Sequence, residues 1–170
     1  MKRKLIFLMA AALLLTPWPV AYAYGSDTAG HASVQVEAAP TNAAPRWNAY
    51  GNAIGGVTAG DLFYIDATNT TTDIPVTLVI TNTDQLIHSY RYLTLNVGVY
   101  TETGTGWEKA TTASGEILPD TYIAMTNGQV SFKLAGYARY KITINNGCFY
   151  SYGNDTEKGS AIPAFYLTTQ

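Results

Sequence analysis

Two stretches of alternating apolar and polar residues lie near the middle of the chain. Polar or small residues occupy most of the positions between the apolar ones. The apolar members are Ile74, Val76, Leu78 and Ile80 in the first stretch and Leu93, Leu95, Val97 and Val99 in the second. A period of two residues is typical of β-strands that bury one face. The pattern therefore predicts two strands at the centre of a β-sandwich core.

Shorter alternating segments recur at roughly ten-residue spacings, with glycine and asparagine turns between them. Residues 102–106 predict a hairpin loop, and Asn127-Gly128 and Asn146-Gly147 predict two more tight turns of type I′. The glycine-rich residues 47–60 are interpreted as turns, and no long helical period follows the first segment of the chain. We therefore predict an all-β fold over residues 47–170, an antiparallel β-sandwich of jelly-roll or immunoglobulin-like type.

The first segment has the features of a secretory signal peptide. Three basic residues at positions 2–4 precede an apolar run over residues 5–15, and residues 21–23 have the small-x-small pattern that signal peptidases cleave. Two prolines interrupt the run before it reaches the length of a membrane span. We predict that residues 1–23 are a signal peptide and that the mature protein is secreted, extracellular or at the cell surface, with no membrane partner.

An extended arm and linker, residues 24–46, joins this signal to the sandwich. Within the arm, residues 32–38 alternate, and their apolar members are Ala32, Val34, Val36 and Ala38. Two prolines, at positions 40 and 45, separate this short strand pattern from the sandwich. Two interpretations remain open. The segment is either a donor strand for a neighbouring subunit or the first strand of its own sandwich.

The net charge of the chain argues against nucleic acid as a partner. The chain has 10 Lys and Arg against 12 Asp and Glu, and removing the three basic residues of the signal takes the formal charge from −2 to −5. A mildly acidic chain without a basic cluster is a poor partner for nucleic acid.

Catalytic and metal-binding residues are sparse. His31 lies in the arm, and His88 is adjacent to Ser89 in a predicted strand, so the two side chains would point to opposite faces. Cys148 is the sole cysteine, which excludes an intramolecular disulfide, and no pair of residues has zinc spacing. Loop carboxylates, such as Asp61, match no calcium-loop pattern. We predict no enzymatic activity, no metal and no cofactor.

Tyrosine is abundant, with 13 residues, and three tryptophans accompany it. Tyr90 and Tyr92 are two positions apart, as are Tyr150 and Tyr152, so each pair is predicted to share one strand face. Such faces, together with Trp47 or Trp107, could stack on sugars or on a neighbouring subunit.

The order of signal peptide, arm and sandwich resembles two families of fibre proteins. Gly60-Asp61 leads into residues 75–83, with the sequence PVTLVITNT, and then into residues 93–100. This layout resembles camelysin-type biofilm-matrix fibre proteins and archaeal bundling pilins. In those families subunits join through N-terminal donor strands, which implies that residues 32–38 are the donor here.

We therefore expect a structural subunit of an extracellular filament that polymerises head-to-tail with copies of itself. A sheet edge has unpaired backbone groups that a strand from another chain can satisfy. The expected acceptor core is the central apolar set, Ile74, Val76, Leu78, Ile80, Leu93, Leu95 and Val97. The alternative is a secreted carbohydrate-binding or adhesin module whose tyrosines and tryptophans contact surface glycans.

Overall fold

The computed structural model describes residues 22–23, 34–49, 53–152 and 161–169, and all structural statements below concern these residues. The predicted all-β sandwich is confirmed: two largely antiparallel sheets pack against each other. The strands are β1 (Tyr22–Ala23), β2 (Gln35–Ala38), β3 (Trp47–Ala49), β4 (Ile54–Val57), β5 (Gly60–Asp66), β6 (Ile74–Ile80), β7 (Tyr90–Thr103), β8 (Gly106–Lys109), β9 (Thr121–Ala124), β10 (Gln129–Leu134), β11 (Arg139–Ser151) and β12 (Phe165–Thr169). A 3₁₀ helix spans Thr41–Ala43, and helix α1 spans Thr83–Ser89.

The smaller sheet has the strand order β1-β12-β6-β10. Its central strands are antiparallel, whereas β1 runs parallel to β12, with Tyr22 opposite Tyr166. The two residues of β1 are also the last two of the predicted signal peptide. Cleavage after Ala23 would therefore remove β1 and leave the outer edge of β12 unpaired. The rest of the predicted signal, and the arm up to residue 33, lie outside the described residues.

The larger sheet is built around β11. One edge of β11 pairs with β7, and the other edge pairs with β5 over the first half of β11 and with β4 over the second half. β2 continues the sheet beyond β5, and β3 continues it beyond β4. β8 and β9 pair with successive parts of β7. The sheet is thus five strands wide at each end of the long β11–β7 pair.

The core lies between the two sheets and contains both predicted central strands. The eight apolar residues of the two alternating stretches are all at most 3% exposed. β6 belongs to the smaller sheet and β7 to the larger one, so the two strands contribute to opposite layers. Phe63 and Ile65 of β5, within the mostly apolar residues 62–67, are fully buried in the same core.

Two local predictions were wrong, the strand at residues 88–89 and the interpretation of residues 47–60 as turns alone. Residues 83–89 form helix α1, in which Leu86 is fully buried and donates its N–H to the carbonyl of Asn82. His88 and Ser89 are therefore helical. Residues 47–60 contain β3 and β4 in addition to turns.

The two asparagine–glycine pairs do not form hairpins. Asn127-Gly128 connects β9 in the larger sheet to β10 in the smaller one, with only the glycine at positive φ (+60°), so it links the two layers. Asn146-Gly147 lies within the continuous strand β11, where the register shifts between Ile144 and Asn146. Because a β-bulge accommodates the extra residue, β11 passes through this point without turning.

No helix in the described part of the chain is long and apolar enough to cross a membrane.

The predicted hairpin over residues 102–106 is confirmed: β7 ends at Thr103 and β8 begins at Gly106, with Thr103 opposite Gly106. Gly106 has φ of +136°, a conformation that favours glycine.

Candidate functional site

The described part of the arm forms β2, an edge strand of the larger sheet. β2 pairs antiparallel with β5 from Gln35 opposite Asp66 to Ala38 opposite Phe63. The ladder continues for one residue, because the N–H of Ala39 donates to the carbonyl of Leu62 at 2.9 Å. In this structure the arm therefore pairs within its own subunit, which is one of the two interpretations that the sequence left open.

The alternation of the arm matches the two sides of β2. Val36 lies opposite the buried Ile65, and Val34 and Val36 pack partly buried against the core. Ala38 is exposed, and Ala32 lies outside the described residues. The apolar side of β2 thus covers the edge of the core with little buried surface of its own.

The segment after β2 holds the base of the arm against the domain. It contains Pro40, the 3₁₀ helix and Pro45 before β3 begins. A Cβ atom on Gly60 would lie 2.1 Å from the backbone nitrogen of Pro45, so this close approach requires glycine. The arm is consequently anchored beside the first residue of β5.

The predicted acceptor residues are buried, but none of them lies on β5, the strand that pairs with the arm. Ile74, Val76, Leu78 and Ile80 lie on β6, whose two edges pair with β12 and β10. Leu93, Leu95 and Val97 lie on β7, which pairs with β11 on one edge and, from residue 94 onwards, with β9 or β8 on the other. The strand beside the arm is β5, and its core residues Phe63 and Ile65 were not among the predicted acceptors. Their signal in the sequence is the short, mostly apolar segment of residues 62–67.

The outward face of the larger sheet carries two cross-strand rows of polar and aromatic side chains. Residues opposite one another in the ladders form each row, and in the second row the ion pair between Arg139 and Glu102 makes the link from β11 to β7. The first row is Glu37, Tyr64, Lys141, Tyr100 and Lys109, and the second is Gln35, Asp66, Arg139, Glu102 and Trp107. Opposite residues in adjacent strands have side chains close enough to interact. β2, β5, β11, β7 and β8 thus build one continuous surface.

Arg139 is the central charge of the second row. Its Nε lies 3.0 Å from Oδ2 of Asp66, and its Nη1 lies 3.5 Å from Oε2 of Glu102. Hydrogen bonds from the hydroxyl and the N–H of Thr68, with a smaller effect of Arg139, lower the pKa of Asp66. The two carboxylates in turn raise the pKa of the Arg139 guanidinium.

Lys141 is the central charge of the first row. Its Nζ lies 3.1 Å from Oδ1 of Asp61, and the hydroxyl of Tyr64 donates to Oδ2 of Asp61 at 2.8 Å. Burial, followed by the hydrogen bond to Asp61, raises the pKa of Tyr64 to about 12. The Lys141 ammonium also lies 5.2 Å from the ring centre of Trp107, whose ring is 6.0 Å from that of Tyr64. These contacts hold Trp107 across the outward face.

A cleft of about 310 Å³ opens on this surface. The whole second row and the adjoining part of the first row line it. The side chains are Gln35, Glu37, Tyr64, Asp66, Glu102, Trp107 and Arg139. One wall therefore comes from the polar side of the arm strand.

A network of hydrogen-bonded polar side chains lies next to the bulge in β11. Oδ1 of Asn145 accepts hydrogen bonds from the hydroxyls of Tyr100 (3.0 Å) and Thr143 (2.9 Å). Nδ2 of Asn145 donates to Oδ1 of the buried Asn96 at 2.9 Å. The side chain of Asn145 thus satisfies polar groups from β7 and β11 at once.

The predicted tyrosine pairs fare differently. Tyr90 is 2% exposed and packs edge-on against Phe149, with ring centres 5.4 Å apart, whereas Tyr92 is 51% exposed. The prediction that they share a face was wrong, because Tyr90 follows directly on α1 and the ladder with β11 shifts register beside it. Tyr150 and Tyr152 both lie 5.3 Å from the Arg91 guanidinium.

The remaining candidate residues are Trp47, Cys148 and His31. Trp47 is partly buried against Phe149, Cys148 is exposed, and His31 lies outside the described residues. Within the ranges that the structure describes, no group of three or more His, Cys, Asp or Glu side chains could hold a metal ion.

In comparisons with known proteins, no protein-family model matches the chain, and no curated protein matches it.

Proposed function

We propose that this protein is a structural subunit of an extracellular filament, in which the arm strand β2 leaves its own β5 and pairs with β5 of the next subunit. The observation that carries this proposal is the position of β2. Among the strands that the structure describes, it is an edge strand from the N-terminal arm that pairs, over Gln35–Ala38, with β5 alone.

Strand exchange preserves the contacts that the arm makes. Backbone hydrogen bonds to β5 and the packing of Val36 against Ile65 would be the same with β5 of another copy. Since these contacts cancel between the two states, the concentration of subunits and the conformation of the linker determine which state is favoured.

Leaving the arm undocked is unfavourable. Phe63 and Ile65 lie opposite Ala38 and Val36 in the ladder and are at most 1% exposed, and without the arm the edge of β5 would present unpaired backbone groups. Because the donor and the acceptor are different surfaces, each exchange leaves one free donor and one free acceptor. Such a head-to-tail contact need not close, and an open filament results.

Electron microscopy of the secreted protein tests this function. We expect filaments from the mature chain and none after deletion of residues 24–39, which removes the arm but not the rest of the sandwich. The matched control is Glu37→Gln, which changes the outward side of β2 and keeps its apolar side. Monomers at high concentration from the mature chain, with the same behaviour after the deletion, would contradict the proposal.

A further inference from the structure

We propose that the cleft between β2 and Trp107 binds a neutral saccharide. This function is distinct from strand exchange although both use β2, since the cleft lies on the outward face and the apolar side of β2 faces the core. The proposal holds for a monomer with its arm docked and does not depend on filament formation.

The size of the cleft matches a small ligand. Its volume of about 310 Å³ is at the lower end of the roughly 300–1,000 Å³ that is typical of small-molecule sites. It is open to solvent on the face of the sheet, so one or two sugar units of a longer chain could occupy it while the remainder stays outside.

Trp107 provides the surface on which a sugar ring can stack. Its side chain is 38% exposed, so part of the indole is free for contact. Tyr64 and Lys141 fix its orientation from the protein side, at 6.0 Å and 5.2 Å from its ring centre. A rigid aromatic ring with one accessible part is suited to the apolar C–H faces of pyranoses and loses little entropy on binding.

The floor and walls provide hydrogen-bond donors and acceptors in fixed positions. Arg139 is held between Asp66 and Glu102, and its guanidinium has five N–H donors, of which these two contacts use a part. The carboxylate oxygens and the amide of Gln35 are available as acceptors and donors for hydroxyl groups. Neighbouring hydroxyls on a sugar require donors and acceptors in such a preorganised arrangement.

Charge favours a neutral ligand over an anionic one. Glu37, Asp66 and Glu102 contribute three carboxylates to the lining against the single guanidinium of Arg139. The lining therefore carries excess negative charge, which opposes phosphate, sulfate or uronate groups. Aromatic contact, combined with many hydrogen-bonding groups and no excess of positive charge, favours a polyhydroxylated neutral molecule over an anionic one.

The arm is part of this site. Gln35 and Glu37 alternate with Val34 and Val36 along β2, so one side of the strand closes the core and the other closes the cleft. We expect saccharide affinity to depend on the docked arm as well as on Trp107.

A panel of neutral oligosaccharides of glucose, galactose, mannose and N-acetylglucosamine tests the proposal, with sulfated and uronate-containing chains as the anionic comparison. Binding is first detected on a glycan array with the secreted, monomeric protein and then measured by calorimetric titration. Trp107→Ala is expected to weaken binding of the best neutral saccharide at least about tenfold, and Trp107→Phe to weaken it less. Glu37→Ala should weaken binding several-fold.

Tyr122→Ala is the matched control, because Tyr122 is a 61% exposed aromatic residue outside the cleft. This variant should bind like the parent protein. Thermal unfolding of every variant checks that the fold is intact. Failure of all the neutral saccharides to bind at millimolar concentration, a preference for the anionic chains, or retention of affinity in Trp107→Ala would overturn the proposal. Unchanged affinity in Glu37→Ala would overturn the role of the arm.

Discussion

Replacing Val36 with Asp should release the arm without unfolding the sandwich. Val36 is the partly buried residue of β2 and lies opposite the fully buried Ile65. Full burial of a valine side chain is worth about 1.5–3 kcal/mol, so partial burial contributes about 1 kcal/mol. A carboxylate placed at the same position adds a desolvation cost.

The expected effect is selective because the contacts of Val36 are local. A loss of about 1–2 kcal/mol raises the population of detached arm roughly 5- to 30-fold. The rest of the core keeps its packing. By contrast, truncation of a fully buried phenylalanine such as Phe63 typically costs about 3–5 kcal/mol and would threaten the whole domain.

Hydrogen exchange measured by mass spectrometry can separate these outcomes. Val36→Asp should accelerate exchange in the peptide that covers residues 60–66, while peptides from β6 keep their protection. Glu37→Gln, on the other side of the strand, should leave both unchanged. The reasoning is refuted if Val36→Asp leaves residues 60–66 protected, or if it deprotects β6 to the same extent.

Three further predictions concern stability. Asn145→Ala removes a hydrogen-bond partner from the polar groups of Tyr100, Thr143 and Asn96. We therefore expect the free energy of unfolding, measured in urea, to fall by about 1–3 kcal/mol. A loss below about 0.5 kcal/mol would contradict the stabilising role of this network. Gly55→Ala should lower the melting temperature markedly, because its Cβ would lie 2.0 Å from the Phe149 ring. Gly104→Ala is the control and should leave the melting temperature nearly unchanged, because no atom lies within 4 Å of its Cβ position. Equal effects of the two substitutions would refute this packing argument. The pKa of Asp66 is lower in the folded state than in the unfolded state, so the unfolded state binds the proton first as the pH falls. The stabilisation that ionised Asp66 contributes is therefore present above pH ~4 and is lost as the pH falls through the folded pKa. In urea titrations, the difference between the parent protein and Asp66→Asn should therefore shrink below pH 4, and a constant difference would contradict this assignment.

The sequence predicted the strands whose period is long and regular. In β6 and β7 apolar residues alternate with mostly polar or small ones over seven residues and are buried in the core, so this periodicity follows directly from the sandwich. The hairpin between β7 and β8 was also predictable, because its glycines are local signals. The alternation of the arm likewise matches the two sides of β2.

Longer-range features were not predictable from local signals. Asn127-Gly128 has the composition of a hairpin turn, yet the strands that it joins belong to different sheets, and only tertiary packing decides this. Helix α1 has seven residues and a single buried one, Leu86, which is too short for a helical period to show. The different exposure of Tyr90 and Tyr92 could be predicted only with knowledge of the register shift in the β11–β7 ladder.

The candidate cleft shows the same limit. Trp107 was a candidate from its residue type alone. Its neighbours Asp66, Glu102 and Arg139 come from three other strands, and only the register of β5, β11 and β7 places them in one row. A single sequence contains no periodic signal for this arrangement.

Disulfide trapping between two different chains tests strand exchange most directly. Glu37 lies opposite Tyr64 on the outward side of the β2–β5 ladder, where opposite Cα atoms are typically about 4.5–5.5 Å apart, within the roughly 4.4–6.8 Å that a disulfide spans. One chain carries Glu37→Cys and the other carries Tyr64→Cys, both with Cys148→Ser so that no other thiol remains. A mixture of Glu37→Cys with Tyr122→Cys chains is the matched control.

If the arm is exchanged between subunits, the Glu37→Cys and Tyr64→Cys chains should form disulfide-linked dimers under assembly conditions, and the control mixture should not. A single chain that carries both Glu37→Cys and Tyr64→Cys reports on self-pairing through an intramolecular bond. Closure of that internal disulfide under the same conditions, without any dimer in the mixture of single variants, would contradict the filament proposal.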